Sequence, residues 1–232
     1  MPTATSTPTT PVPTALFGGA LHVLLPPGYL DASLIREVPS TQEVFVPQST
    51  STDTSIIFDI LEPPLPIPAV GGDTDTDGSG GRGGDGSGDG GRDSDGGRDN
   101  EALKIHWDDI VSPRASRVVR VQAVDVPGAQ MPGAQSQLRE GRTRNRAWCI
   151  CGTVGEGEGA EGEGYTAILA TVVRLHNVAT DLVVTVNVPV SAEEARAEGP
   201  GAVGETMARA FELRDLLLGS LEVRDWGLFV NE

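Results

Sequence analysis

The chain has 232 residues, 38% of them apolar, and a formal net charge of −16. It is long enough to bury one sizeable hydrophobic core, and its acidic balance argues against nucleic acid as the main partner. No apolar run approaches the roughly 18 residues of a membrane span, and the N-terminus lacks the basic and apolar regions of a secretory signal. We therefore expect a soluble, intracellular protein that binds neither nucleic acid nor membranes.

Glycine and proline, with 30 and 17 residues, are concentrated in a few polar stretches. Residues 1–15 are rich in Pro and Thr, which predicts a disordered tail. Residues 63–100 are rich in Gly and Asp and predict a disordered loop, because the stretch is too long and too polar to order itself. The piece before it, residues 16–62, is marginal as an independent domain. We therefore predict a single domain over residues 16–232, interrupted by this loop.

The first half of the chain predicts short strands, one helical turn and one helix. Strands are predicted at "ALHVLL", "QEVFV" and "SIIFDILE". The segment "DASLIREVP" predicts a helical turn with Asp31 or Ser33 as its cap. An amphipathic helix is predicted to begin after Asn100 as its N-cap. The predicted buried stripe of this helix is Leu103, Trp107, Ile110 and Val111.

The second half predicts strands followed by helices. "RVVRVQAVDV" and "NRAWCICGTV" are typical of strands, and "YTAILATVVRLHNV" with "DLVVTVNVPV" predicts an antiparallel hairpin. Ser191 and Glu194 predict a capping box that opens a short helix. A last helix is predicted from near Gly204 to Gly219, before an edge strand at "SLEVRDWGLF". These elements predict an α+β fold with a single, mostly antiparallel sheet of six to seven strands.

The residues that usually carry chemistry do not form a catalytic or metal-binding pattern. Cys149 and Cys151 are two residues apart, and we expect them to be buried, reduced thiols. The three histidines lie far apart in the sequence, without zinc-ligand spacing, and each is expected to be a surface or packed residue. No G-x-S-x-G or H-E-x-x-H motif occurs. We therefore expect a protein that is not an enzyme and holds neither a metal nor a cofactor.

Two carboxylates, Asp59 and Glu62, stand in the apolar segment "SIIFDILE". Alternation along a strand places Asp59 between Ile57 and Leu61 on one face. If that face is buried, the carboxylate needs a partner, for which Arg36 is the natural candidate. If the face is open, the acids suit a basic partner surface. A third reading is an edge-strand acid that only prevents aggregation.

Several motifs in sequence resemble the Ran guanine nucleotide release factor family, the Mog-type nuclear import proteins. The resemblance lies in an aromatic-Gly-Gly-Ala start, a Pro-Gly-aromatic-x-Asp-x-Ser turn, an Arg-x-Val-Pro-x-x-Gln-Glu-Val-aromatic run and an Asp-x-Leu-Glu strand end. These motifs occupy residues 17–20, 27–33, 36–45 and 59–62. The later hairpin, "LATVVRLHNVATDLVVTVNVPVSAEEA", is also similar to that of the family. The long stretch 63–100 departs from the family pattern, as do residues 127–143 and 155–164.

The resemblance implies a sheet with helices on both faces, as in the photosynthetic PsbP proteins. It also implies a monomer that binds the small GTPase Ran, promotes release of its nucleotide and supports nuclear import. Other Ran-binding proteins are further expected partners, and the expected location is the nucleus, with the cytoplasm as a second one. The site residues carried over by motif position are Asp59, Glu62, Asp31, Arg36 and Glu43. The alternatives are a PsbP-like module that binds a small ligand or protein, and a scaffold that acts through its acidic loop.

Overall fold

The computed structural model describes residues 10–48, 53–65, 94–127, 146–155, 164–176, 178–198 and 204–229. These residues form ten strands and three α-helices. The strands are β1 (Val12–Leu16), β2 (Leu21–Leu25), β3 (Tyr29–Asp31), β4 (Gln42–Pro47), β5 (Ser55–Leu61), β6 (Ser116–Val124), β7 (Arg146–Val154), β8 (Tyr165–Leu175), β9 (Thr180–Val190) and β10 (Glu222–Val223). The helices are α1 (Ser94–Val111), α2 (Ala192–Glu198) and α3 (Glu205–Ser220). In the described residues no helix is long and apolar enough to cross a membrane.

Seven strands form one antiparallel sheet in the order β3-β4-β5-β9-β8-β7-β6. Its centre is the long hairpin β8–β9, in which Leu175 pairs with Thr180 beside the turn. Both strands are apolar on their two faces because both faces are covered, and most of their residues are buried. The predicted α+β fold and the predicted hairpin are confirmed.

Helices cover the two faces of this sheet, as predicted. On one face Leu103, Trp107 and Val111 of α1 are buried against β7, β8 and β9. On the other face α3 packs Met207 and Leu217 into a larger core that also includes the small sheet. The apolar stripe predicted for α1 therefore forms an interface with the sheet, and buried residues of α3 form a second one on the opposite face. Cys149 and Cys151 are buried free thiols in the α3-side core, as predicted.

A second sheet of three strands, β1-β2-β10, was not predicted. Residues 12–15 were assigned to the disordered tail, but they belong to β1, which pairs along its whole length with β2. The buried side chain of Leu16 secures this strand, and Pro13 is tolerated because β1 is an edge strand. The tail prediction was thus wrong for residues 12–15, while residues 1–9 lie outside the described residues.

Three predicted boundaries differ from the structure. Helix α1 begins at Ser94 rather than after Asn100, and within this longer helix the buried Asp99 bonds to Arg174 of β8. The loop prediction was therefore wrong for residues 94–100, and residues 66–93 lie outside the described part. Helix α3 continues through Gly219. The predicted last strand shrinks to β10, since a 3₁₀ turn, Trp226–Phe229, takes the rest of that segment.

Candidate functional site

Strand β5 carries the first candidate carboxylate. It lies between β4 and β9, where Asp59 pairs with Gln42 on one side and with Val183 on the other. Ile56 and Phe58 are fully buried in the α3-side core. Alternation along the strand therefore turns Asp59 toward the α1 face, to which Val183 also belongs. There its side chain is half-buried.

Asp59 is only partly satisfied in this position. Its Oδ2 accepts a hydrogen bond of 2.7 Å from Gln42 Nε2, and its buried Oδ1 has no hydrogen-bond partner among the described residues. Burial raises the pKa of Asp59, while hydrogen bonds from Gln42, Thr41 and Ile60 and the charge of His106 lower it by less. The ionised carboxylate is thus held in a place that costs free energy, which a nearby cation on a partner would offset.

Arg36, the candidate partner for a buried Asp59, does not pair with this carboxylate. The Arg36 side chain is exposed, and no ion pair joins it to any acid within the described ranges. Gln42 bonds to Asp59 instead, because it is the direct cross-strand neighbour of Asp59. The guanidinium of Arg36 is therefore available to solvent at the end of its turn.

Glu62 lies directly after the last residue of β5 and is exposed. Asp59 and Glu62 consequently stand at the same end of one strand, the first partly enclosed and the second in water. Neither forms an ion pair within the part of the chain that the structure describes. We call this pair the β5 carboxylates.

Asp31 caps the 3₁₀ turn Ala32–Leu34, where its side chain accepts a 2.8 Å hydrogen bond from the Ser33 backbone N–H. Of the two predicted caps, Asp31 is therefore the one that the structure uses. The turn belongs to the connection between β3 and β4, which leads back to the neighbour of Asp59. Asp31 thus contributes to the shape of this end of the sheet as well as to its charge.

Glu43 is set apart from the β5 carboxylates. It pairs with Phe58 across β4 and β5, which places it on the face opposite to Asp59. Its Oε1 accepts a 2.7 Å hydrogen bond from the backbone N–H of Phe17. Because Phe17 has a positive φ of 49°, this bond supports a turn in a backbone region that side chains rarely adopt. The geometry gives Glu43 a structural contact.

A buried cluster of charged residues on the α1 face was not predicted from the sequence. Asp181 accepts a 3.2 Å bond from Arg174 Nε and lies 2.9 Å from His106 Nε2. Arg174 also contacts Asp99 at 3.2 Å. All four side chains are at most 5% exposed. We call these residues the buried charge cluster.

The sequence contained one usable signal for this cluster. Arg174 and Asp181 each interrupt an apolar strand on either side of the hairpin turn, and they are direct cross-strand partners. The cluster also reaches the segment behind Glu62, because Arg174 Nη2 donates a 2.7 Å hydrogen bond to the Leu65 carbonyl. It therefore fixes the chain that leaves β5, although its own charges are closed to a partner. His106, expected to be a surface or packed residue, is packed.

Comparison with known proteins shows what this chain is similar to. Residues 14–189 match the family described as "Mog1: Ran-interacting Mog1 protein". A Ran guanine nucleotide release factor from Bos taurus is 27% identical over 175 residues, covering 75% of this chain and 74% of the relative. One from Danio rerio is 25% identical over 217 residues, covering 92% and 97%. Nuclear import protein MOG1 from Saccharomyces cerevisiae is 46% identical over 56 residues, only 26% of that relative.

A solved structure supports the fold independently. The crystal structure of the Saccharomyces cerevisiae Ran-binding protein Mog1p superposes with a TM-score of 0.65 at 20% identity, covering 96% of this chain and 100% of that one. A cyanobacterial PsbP structure gives a TM-score of only 0.44, a likeness too distant to support a function. The match to the family spans most of the chain, and it confirms the resemblance found in the motifs. The protein therefore belongs to the family of Ran-interacting Mog1 proteins.

Proposed function

We propose that this chain binds the small GTPase Ran through the β5 carboxylates, promotes release of the bound nucleotide and thereby supports nuclear protein import. The observation that carries the proposal is the state of Asp59, a half-buried carboxylate that is bonded to the uncharged amide of Gln42 and forms no ion pair with the described residues. The names of the family and of its relatives support Ran as the partner.

Nucleotide release follows from linkage if the protein prefers Ran without nucleotide. A protein that binds the empty GTPase more tightly weakens nucleotide affinity by the same factor. Small GTPases hold the phosphates with a lysine, backbone amides and Mg²⁺. Carboxylates brought to this region compete with the phosphates for the same positive groups. Asp59 and Glu62 provide two such charges, one of them poorly satisfied within its own fold.

We further propose that the chain acts as a regulator without chemistry or a cofactor of its own. It does so as a monomer, in the nucleus and also in the cytoplasm. Asp31 and Arg36, on the turn beside the β5 carboxylates, are proposed as further contacts with Ran. Glu43 is proposed as the weakest contributor, because its carboxylate is bonded to Phe17 on the opposite face of the sheet.

The first test reverses the charge of the β5 carboxylates. The variant Asp59→Lys/Glu62→Lys is expected to lose stimulation of nucleotide release from Ran loaded with a fluorescent GDP analogue. The matched control is Glu212→Lys/Glu222→Lys, which changes the net charge equally at two exposed acids on other elements. Equal release rates for the wild type and the first variant would exclude the β5 carboxylates from the mechanism.

The alternatives give different results in the same assay. A PsbP-like module that binds a small ligand would fail to bind Ran in any nucleotide state. A scaffold acting through its acidic loop would lose activity when residues 66–93 are deleted, whereas we expect that deletion to be tolerated. The three functions are therefore separated by measuring the wild type and the deletion variant against Ran bound to GDP, bound to GTP and stripped of nucleotide.

A further inference from the structure

Two large apolar side chains stand side by side in solvent on the turn after β3. Leu34 is 78% exposed and Ile35 is 70% exposed, the two highest values among the exposed large apolar residues that the structure describes. Isolated apolar residues on a surface are ordinary, but two consecutive aliphatic residues that are both exposed on one short turn place a concentration of apolar surface there. We call them the Leu34–Ile35 pair.

The backbone that carries this pair is held in a defined shape. Asp31 caps the turn at Ser33, the buried Ala32 anchors it to the core, and the Ala32 carbonyl accepts hydrogen bonds from the N–H groups of Ile35 and Arg36 at 2.9 and 3.0 Å. Two aliphatic side chains are thus presented on an ordered turn. Such preorganisation lowers the entropy that a partner must overcome on binding.

The turn leads directly to the β5 carboxylates. The Gln42 N–H donates to the Pro39 carbonyl at 2.9 Å, and the Ile60 N–H donates to the Thr41 carbonyl at 2.9 Å. The connection after the Leu34–Ile35 pair therefore lies against the end of β5, where Gln42 also bonds to Asp59. The apolar pair and the carboxylates belong to one end of the seven-stranded sheet.

We propose that the Leu34–Ile35 pair is an apolar anchor of the Ran-binding surface, a step that rests on the proposed function. Interfaces place a few well-buried apolar side chains inside a rim of charge, and exposed Arg36 and Glu37 follow the pair directly. The expected counterpart on the GTPase is an apolar depression bordered by basic groups. A second copy of this chain fits less well, because Glu37 and Glu62 would meet like charges on a molecule of net charge −16.

The test is the affinity of Ran, stripped of nucleotide, for Leu34→Ser/Ile35→Ser. We expect a loss of about tenfold or more and slower nucleotide release, with an unchanged unfolding midpoint because both side chains are already exposed. The matched control is Val119→Ser/Val121→Ser, which removes two exposed apolar side chains from β6. The control is expected to bind Ran like the wild type.

Salt separates the apolar anchor from the carboxylates. The loss of Ran affinity caused by Leu34→Ser/Ile35→Ser, relative to the wild type, should persist at 0.5 M NaCl. The loss caused by a carboxylate variant should shrink, because salt screens charge pairs and leaves apolar contacts intact. Binding within twofold of the wild type, or an equal loss in the β6 control, would overturn the anchor while the proposed function stands. A wild type that fails to bind Ran overturns both, and a dimer that dissociates on this substitution assigns the pair to self-association instead.

Discussion

The β5 carboxylates and the buried charge cluster contain acids on the same sheet that differ in burial and in their ion pairs. Asp181, in the cluster, is fully buried and meets two positively ionisable groups, Arg174 and His106, within 3.2 Å. Asp59, at the end of β5, is half-buried and bonded to an uncharged amide. The first acid is paired with cations inside the protein, and the second forms no ion pair with the described residues.

The difference shows what distinguishes a structural acid from a candidate binding acid. An acidic residue in an apolar strand is ambiguous from the sequence, because burial with a cation and exposure to a partner both explain it. The structure separates the two cases because it shows the hydrogen-bond and ion-pair partners of each carboxylate oxygen. It also connects them, since Arg174 of the cluster holds the Leu65 carbonyl and thereby orders the segment that follows Glu62.

Removing the charge of Asp181 should have the largest effect on stability. The substitution Asp181→Asn leaves Asp99 as the one carboxylate that pairs with the buried Arg174 among the described residues, and we expect a cost of about 3–5 kcal/mol. For a domain of this size that corresponds to a fall in Tm of about 6–20 °C. The control is Asp215→Asn, because Asp215 also bonds an arginine but its side chain is 62% exposed. A cost no greater than that of this control would contradict the structural role of the cluster.

Gly152→Ala tests whether packing alone also secures the α1 face. An added Cβ would lie 2.5 Å from two ring carbons of Trp107 and 2.7 Å from the Arg117 carbonyl, so we expect a loss of about 1–3 kcal/mol in urea unfolding. Gly219→Ala is the matched control, since nothing lies within 4 Å of its added Cβ. This control should leave stability unchanged or slightly increased. Equal stability of the two variants would mean that α1 does not rest on β7 as described.

Asp59→Asn should change the free energy of unfolding only slightly, and it should raise it rather than lower it. Burial raises the pKa of Asp59, so ionisation costs more in the folded than in the unfolded protein. The wild type therefore loses stability relative to Asp59→Asn as pH rises from the usual value of 3.8 through the raised pKa. Thermal unfolding between pH 4 and 7 measures this difference. A wild type that instead gains stability relative to the variant as pH rises would mean that the pKa of Asp59 is lowered and that an internal cation stabilises its charge.

Glu62→Gln should have the smallest effect on folding. Its side chain is exposed and forms no ion pair with the described residues, so the free energy of unfolding should stay within about 0.5 kcal/mol of the wild type. Chemical denaturation at pH 7 checks this value. A larger loss would place Glu62 among the structural acids, together with Asp181.

The sequence predicted most of the fold because its signals were local. Alternation in β5 and β9, the stripe from Leu103 to Val111 and the capping box at Ser191 each report on neighbouring residues. The structure contains that box, with the Glu194 N–H donating to Ser191 Oγ at 3.2 Å. The β1–β2–β10 sheet was missed because it joins the two ends of the chain, a contact that no local pattern records.

The candidate site was predictable in part for the same reason. Strand alternation located Asp59, but its partner depends on register between β4 and β5, which placed Gln42 rather than Arg36 beside it. Register also put Glu43 on the other face. The buried charge cluster joins α1, β8 and β9, so only a three-dimensional arrangement could show that these charges compensate one another. The Leu34–Ile35 pair was hidden because apolar residues in a helical turn are usually buried.

The most direct test is nucleotide release from Ran with the isosteric variant Asp59→Asn/Glu62→Gln, which removes two charges and preserves shape. We predict a folded protein of wild-type or higher stability that stimulates release at least about tenfold less, which is a loss of about 1.4 kcal/mol of coupling. Full stimulation by this variant would contradict the claim that these carboxylates act on the GTPase.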